Sequence, residues 1–193
     1  PVLCVKGATV NLYAYGGETG FAVRPGEVGT LGTLSLLKQT GQNTGAVVRV
    51  GKGAVWPTTV FVEAGTLYSH ATNTLTTLKL TGGEGQAFTE TDSTGAITGV
   101  DIGEGGKFFH RGTGGIAAAT VRASSTFSLA QDARDKTLDE VVAYAGATID
   151  LDNGKADSIT HSGGGTNVPT IYCVDGIGTV TIKAPAGMSL NIR

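Results

Sequence analysis

Asp150 and Asp152 are the residues of this sequence whose types and spacing best suit acid–base chemistry. On a β-strand their side chains would share one face, about 6.5 Å apart. Two carboxylates at a separation of this order can hydrolyse a glycosidic bond, one as the acid and the other as base or nucleophile. A second acidic pair, Asp139 and Glu140, precedes them in the chain. The chemistry that these residues could perform is therefore cleavage of a polysaccharide.

A catalytic interpretation of the Asp pair also requires a basic residue and an aromatic platform beside the acids. We expect the aromatic residues to alternate into the core, which leaves no such platform. The pair itself alternates with Ile149 and Leu151, a pattern typical of the solvent side of a half-buried strand. We therefore predict that the chain is not an enzyme, and we assign it no catalytic residue.

Metal and phosphate sites are not indicated by the sequence either. The three histidines, His70, His110 and His161, are too far apart in the sequence for a local zinc motif. Lys52 and Lys107 each follow a glycine, but neither is followed by the Ser or Thr of a phosphate-binding P-loop. We therefore predict no metal ion and no cofactor.

The strands that would position these residues are indicated by an apolar pattern that occurs four times between residues 74 and 152. In each copy, three apolar residues are separated by two residues and then by one, and a turn of Gly, Ala or Ser follows. The copies are Leu75, Leu78 and Leu80; Ile97, Val100 and Ile102; Ile116, Ala119 and Val121; and Leu138, Val141 and Ala143. The middle residues of successive copies are 22, 19 and 22 positions apart.

A repeat of about 20 residues is typical of folds built by stacking one structural unit. Each copy has room for two short strands and no helix, and only stacked copies can bury their apolar sides. We therefore predict an all-β fold, a single-chain parallel β-solenoid of right-handed sense with coils of roughly 20 residues. In such a coil Phe108 would lie near Phe127, and Phe127 near Ile149.

The composition supports this fold and argues against some partners. Gly accounts for 31 of the 193 residues and Pro for 5, which favours many tight turns over a disordered linker. The formal net charge is −2 and there is no basic block, so nucleic acid and an anionic membrane surface are not expected partners. No apolar run in the sequence approaches the roughly 20 residues that cross a bilayer.

We predict one domain over residues 1–193, in which residues 1–30 form an N-terminal cap or a contact arm. Residues 18–29 have no regular pattern, and Pro25 and Gly26 indicate a turn. Polar insertions are expected at the corners of the coil, where such segments usually carry contacts. These insertions are residues 89–95, 111–115 and 130–136.

The two cysteines, Cys4 and Cys173, are predicted to be free thiols. At about 4.8 Å per coil, about seven or eight coils would separate them by about 35 Å, far beyond the reach of a disulfide. We expect both to be small buried residues. The missing disulfide framework, together with an N-terminus at Pro1 without a charged and apolar leader, favours assembly inside a cell.

Three segments carry a resemblance to known proteins. They are TTVFVEAGTL at residues 58–67, TLTTLKLTGG at residues 74–83 and TLDEVVAYAGATIDL at residues 137–151. In these segments the chain resembles β-helical virion proteins of tailed bacteriophages, in which units of this type recur. The resemblance covers most of the chain but is one of pattern, which β-solenoid adhesins share in large part.

The resemblance implies a non-enzymatic structural virion protein, a capsid decoration or cement protein assembled in the host cytoplasm and located on the capsid surface. Its partner would be the major capsid protein or another virion protein, and a homotrimer is compatible with that role. Aromatic residues and Arg tend to anchor interfaces. The candidate contact residues are Tyr13, Tyr15, Phe21, Arg24 and Trp56.

A second hypothesis assigns the chain to another functional class. A carbohydrate-binding or carbohydrate-cleaving β-helix, of the kind found in tailspikes or adhesins, would have the same repeats. It predicts a groove lined by Asp150, Asp152 and aromatic residues, and measurable glycan binding.

Overall fold

The computed structural model describes most of the chain from residue 57 onwards, together with the strands that precede it. The described residues are 2–6, 9–15, 18–24, 27–29, 32–38, 46–51, 57–129, 136–151, 159–160, 169–184 and 188–193. Before residue 32, the side chains described are those of Leu3 and Cys4.

β-Strands make up nearly all the regular structure of the described residues, as the alternating pattern predicts. The strands are β1 (Val2–Lys6), β2 (Thr9–Tyr15), β3 (Glu18–Arg24), β4 (Glu27–Gly29), β5 (Thr33–Leu37), β6 (Ala46–Val50), β7 (Thr59–Ser69), β8 (Leu75–Thr89), β9 (Ile97–Ile102), β10 (Lys107–His110), β11 (Ile116–Val121), β12 (Thr126–Ser128), β13 (Lys136–Ala143), β14 (Thr148–Asp150), β15 (Ile159–Thr160), β16 (Thr170–Cys173), β17 (Thr181–Lys183) and β18 (Asn191–Ile192). A short 3₁₀ turn spans Ile177–Thr179. Within the described part of the chain, no helix has the length and hydropathy needed to cross a lipid bilayer.

Two parallel ladders of strands run through the molecule. Ladder A consists of β1, β5, the first parts of β7 and β8, β9, β11, β13, β16 and β18. Ladder B consists of β2, β6, the second parts of β7 and β8, β10, β12, β14 and β17. The chain forms a β-solenoid of about five turns with roughly 21 residues per turn, which confirms the predicted fold, while its right-handed sense stays a prediction.

The repeated apolar pattern forms three buried columns in ladder A. They are Leu75, Ile97, Ile116 and Leu138; Leu78, Val100, Ala119, Val141 and Ile171; and Leu80, Ile102, Val121, Ala143 and Cys173. Each apolar residue lies directly above its counterpart one turn away, because the strands pair in parallel and in register. The steps of 22, 19 and 22 residues seen in the sequence are therefore the lengths of successive turns.

Ladder B contributes a further buried column. Its members are Leu67, Ala87, Phe108, Phe127 and Ile149. The ring centroids of Phe108 and Phe127 are 5.9 Å apart, so the predicted neighbours do lie on one another. Full burial of a large apolar side chain contributes about 1.5–3 kcal/mol. The stacked aliphatic and aromatic residues therefore hold the coils together.

Backbone conformation allows the chain to turn from ladder A to ladder B. Strand β7 makes the passage without interruption at Gly65, where φ is +95° and a Cβ would collide with the backbone of Ala46. Three later coils make it at a tight turn that holds one residue with positive φ. These residues are Gly105, Ser124 and Gly146.

The chain closes a third side of the coil with residues 70–74, 90–96 and 111–115. We expected the insertions at 89–95 and 111–115 to emerge from the corners, but part of each is buried. Ser93 is fully buried and donates a hydrogen bond of 2.7 Å to the carbonyl of Ala71 on the preceding coil. Residues 130–135 of the third insertion lie outside the described residues.

The segment after Thr9 departs from the parallel arrangement. β2 pairs in parallel with β6 through Thr9–Leu12, and its last residues pair antiparallel with β3, which pairs antiparallel with β4. The expectation that residues 18–29 are irregular was wrong, because ladder hydrogen bonds form there without an apolar repeat. Whether residues 1–30 act as a cap or a contact arm stays a prediction.

Both cysteines are free thiols, as predicted. Cys173 is buried in ladder A, but Cys4 is exposed, so the expectation of burial was wrong for Cys4. The alternation of inward and outward side chains along β1 explains the exposure of Cys4. Cys4 pairs with Ser35, which points outwards, whereas its neighbour Leu3 pairs with the buried Leu34.

Candidate interaction surface

The five residues predicted as partner contacts all lie before residue 58. Tyr13 and Tyr15 are on β2 and pair with Gly20 and Glu18 of β3. Phe21 and Arg24 are on β3 outside that pairing and pair with Gly29 and Glu27 of β4. The side chains of these four predicted contacts, and the whole of Trp56, lie outside the described residues. Their role in contacts therefore stays a prediction.

Of the pair Asp150 and Asp152, the structure describes Asp150. Asp150 points outwards between the buried Ile149 and Leu151, as the solvent-side interpretation predicts. A carboxylate oxygen of Asp150 lies 3.9 Å from Nζ of Lys183 on the next coil. Asp152 lies outside the described residues, so the pair's geometry stays untested.

The other acidic pair lies on ladder A. Glu140 is exposed, and Asp139 lines a shallow cavity of about 180 Å³. The remaining lining residues are small or apolar: Ala96, Ile97, Thr98, Gly115, Ile116 and Ala117. An apolar cavity with one carboxylate among its described lining residues lacks the second acid or base that hydrolysis of a glycosidic bond uses.

The two histidines that the structure describes occupy unrelated positions. His70 pairs with Asp92 at 2.5 Å on the surface, and His110 is fully buried on β10. His161 lies outside the described residues. Where the structure describes the chain, no three His, Cys, Asp or Glu side chains come together as metal ligands would.

Four outward positions in register on ladder B form the feature that sequence reasoning missed. They are Arg49, Tyr68, Phe88 and Phe109, on four successive coils. We expected aromatic residues to alternate into the core, and for these three that expectation was wrong. The signal was present in the sequence, because each ring follows a residue of the inward column: Leu67, Ala87 and Phe108.

The three rings are stacked along the solenoid axis. The centroids of Tyr68 and Phe88 are 5.2 Å apart with planes 15° from parallel, and those of Phe88 and Phe109 are 4.8 Å apart at 9°. The separation is close to the spacing of neighbouring strands, about 4.8 Å. Parallel pairing of identical row positions therefore positions the rings.

Two arginines cover ring faces in this row. The guanidinium carbon of Arg49 lies 5.2 Å from the centroid of Tyr68, and that of Arg111 lies 4.9 Å from the centroid of Phe88. Both distances are within cation–π range. Arg111 also approaches Glu90 at 3.6 Å. We call Arg49, Tyr68, Phe88, Phe109 and Arg111 the ring strip.

The strand positions beside the ring strip carry mostly uncharged side chains. In register, two residues before the ring row, they are Val47, Thr66, Gln86, Lys107, Thr126, Thr148 and Thr181. Lys107 is exposed and lies on the same strand as Phe109. Thr66, Gln86 and Lys107 thus lie beside the three rings, and the threonines at 126, 148 and 181 continue the row past them.

A second outward cluster, on ladder A, consists of ion-paired side chains. Arg122 donates hydrogen bonds of 3.0 and 3.3 Å to the carboxylate of Asp101, which also lies 3.6 Å from Nζ of Lys79. The hydrogen bond from Arg122 to Asp101, and then their Coulomb attraction, raise the pKa of the guanidinium. Two cations share one carboxylate, so the cluster is ion-paired but keeps an excess positive charge.

Comparison of the chain with protein-family models, with curated proteins and with solved structures finds no match.

The geometry of the ring strip limits what it can bind. A sugar stacks on the open face of an aromatic ring, but most ring faces here are turned towards another ring or a guanidinium. Among the described residues, the face of Phe109 towards Ser128 is the one without such a neighbour. The strip is thus better suited to lateral contact with a partner surface than to stacking a glycan along its length.

Proposed function

We propose that this chain is a non-enzymatic structural virion protein, a capsid decoration or cement protein that docks on a phage head and stabilises it. The ring strip is the observation that carries the proposal. The resemblance of the repeats to β-helical virion proteins supplies the class of particle.

The ring strip has the composition of an interface centre. Tyr, Phe and Arg are enriched where protein–protein interfaces are buried, whereas Lys and Glu are depleted there. Its rings are neither buried nor fully exposed, and parallel hydrogen bonding holds them in fixed positions. A rigid surface of this kind loses little conformational entropy when a partner covers it.

Docking of such a strip would stabilise a shell by bridging. A solenoid face that crosses several coils can contact two neighbouring subunits of the major capsid protein, or another virion protein. Anything that binds only the assembled shell stabilises it by mass action. The expected consequence is a head that resists heat and dilution better with the chain than without it.

We expect a phage genome to encode the chain, and the experiment uses particles of that phage. Gradient-purified particles are analysed by mass spectrometry and labelled with immunogold against the chain. We expect the chain in stoichiometric amount, with label over the head. Particles without the chain, or label restricted to the tail, would overturn the proposal.

A glycan-binding role is the second candidate, and one observation favours it. Asp150 lies in the same outward row as Phe109, with Ser128 between them in register, so an acid and a partly open ring face share one surface. This candidate predicts specific hits on a glycan array that Phe109→Ala abolishes. An array without hits, at chain concentrations of about 10 µM that detect weak lectin-like affinities, would exclude it.

A further inference from the structure

We infer that the ring strip and Lys107 form a docking site for an acidic protein surface, whose carboxylates contact Arg49 at one end and Lys107 at the other. This inference rests on the proposed docking function and deepens it, because it names the surface and the chemistry of the partner.

The faces and the edges of the three rings differ in how far a partner can reach them. Tyr68 lies between Arg49 and Phe88, and Phe88 lies between Tyr68 and Phe109. Because every ring face except that of Phe109 towards Ser128 is covered, an approaching partner meets mainly the ring edges. The edge of an aromatic ring carries the positive part of its quadrupole.

Most of the described cations have an acidic partner within the chain. Five described cations lie within ion-pair distance of a carboxylate: Lys38, Lys79, Arg111, Arg122 and Lys183. Arg49 and Lys107 are exposed, and among the described residues neither has a carboxylate at that distance. The two cations without an acidic neighbour on ladder B therefore flank the three rings.

The separation of the two end cations, Arg49 and Lys107, suits a single partner surface. Arg49 and Phe109 occupy the same row three coils apart, about 14 Å along the axis at the usual strand spacing. Lys107 lies two residues from Phe109 on the same strand, which adds about 7 Å across the face. Two carboxylates on one protein surface can be this far apart, with apolar or hydroxyl-bearing side chains between them.

Ring edges and both end cations have the same electrostatic sign, whereas the whole chain has a net charge of −2. A positive face on a weakly acidic protein favours one orientation towards an acidic partner and disfavours contact with a basic one. Nucleic acid is the less favoured anion, because bases stack on open ring faces and the described rings leave one such face, that of Phe109 towards Ser128.

The test measures sedimentation of the purified, labelled chain with particles of the encoding virus prepared without it. Arg49→Glu/Lys107→Glu is compared with Arg193→Glu, a charge reversal at another exposed cation that is distant from the strip and has no described ion pair. We expect the double variant to lose about 100-fold in affinity, the control to stay within about twofold, and wild-type affinity to fall as salt rises.

Carbodiimide coupling, which joins an amine to a carboxylate in direct contact, identifies the partner chemistry. We expect Lys107 to be joined to an Asp or Glu of a particle protein. Unchanged binding of the double variant, or coupling of Lys107 only to a second copy of this chain, would overturn the inference while leaving particle docking intact. Binding that nuclease treatment of the particle abolishes would also overturn it. Failure of the wild-type chain to bind any particle overturns the proposed function itself.

Discussion

At the residue scale, His110 shows how a polar side chain is accommodated in the core. Its Nε2 donates to the carbonyl oxygen of Gly114 at 2.6 Å, so its Nδ1 accepts from the hydroxyl of Thr89 at 2.7 Å. The same hydroxyl oxygen accepts hydrogen bonds from the backbone N–H groups of Arg111 and Gly112. A neutral imidazole therefore completes a network that ties three segments together.

Replacing His110 tests this network. His110→Phe keeps the ring volume but leaves the Thr89 hydroxyl and the Gly114 carbonyl without their partner. Each of the two unsatisfied buried groups costs about 1–3 kcal/mol, so we expect a loss of about 2–6 kcal/mol in urea denaturation. The matched control is His70→Phe, which removes an exposed pair worth about 0–1 kcal/mol. Equal losses in the two variants would contradict the network's role.

The two thiols give a second prediction at this scale. Burial raises the pKa of the Cys173 thiol, so less thiolate, the reactive form, is present near neutral pH. Cys4 is exposed on β1. We expect iodoacetamide at pH 7.5 to modify Cys4 at least about ten times faster than Cys173 in the folded chain.

The variants Cys4→Ser and Cys173→Ser assign the two rates by mass spectrometry. In urea the rates should become similar, because unfolding removes the burial of Cys173. Fast labelling of Cys173 in the folded chain would show that the last coils open readily.

At the element scale, the stacked rings serve the fold as well as a partner. Phe88 is stacked on two rings and Phe109 on one. A stacked aromatic pair contributes about 0.5–1.5 kcal/mol beyond its buried area. The central ring should therefore matter about twice as much to stability as the terminal one.

We expect Phe88→Leu to lower the thermal midpoint about twice as far as Phe109→Leu. The control is Phe61→Leu, because Phe61 points outwards on ladder A and has no ring contact among the described side chains. Far-UV circular dichroism during heating measures all three. Equal destabilisation by Phe61→Leu and Phe88→Leu would show that ring stacking does not stabilise the solenoid.

Sequence reasoning predicted the elements of the core but not those of the surface. Leu78, Val100, Ala119 and Val141 could be assigned to one column because apolar residues recur at almost constant spacing. The third side was missed because its buried residues are small, namely Gly, Ser and Ala71. In sequence such residues look like an exposed loop, and only their contacts show otherwise.

At the scale of the whole molecule, the solenoid is a one-dimensional stack in which each coil contacts its neighbours. Ile97 and Ile116 occupy equivalent places, and the carbonyls of Ala96 and Gly115 accept equivalent hydrogen bonds from Leu75 and Ile97. One complete coil therefore runs from residue 97 to residue 115.

Removing that coil tests the architecture. A chain lacking residues 97–115 joins equivalent points, so we expect a folded and shorter solenoid. A chain lacking residues 99–116 keeps one residue too many inside the joined strand, so Ala119 and Val121 turn outwards when Ile97 stays inward. Circular dichroism and size-exclusion chromatography should show a folded, non-aggregated chain for the first deletion and aggregation for the second.

The sequence by itself determined the coil, because its inward residues recur at a fixed period and have no alternative place to be buried. It did not determine the surface. Tyr68, Phe88 and Phe109 are about 20 residues apart in the chain, and the local alternation that turns each ring outwards does not show which rings touch. Only the tertiary register decided that they stack, with Arg49 and Lys107 beside them, because parallel pairing converts separation along the chain into contact across coils.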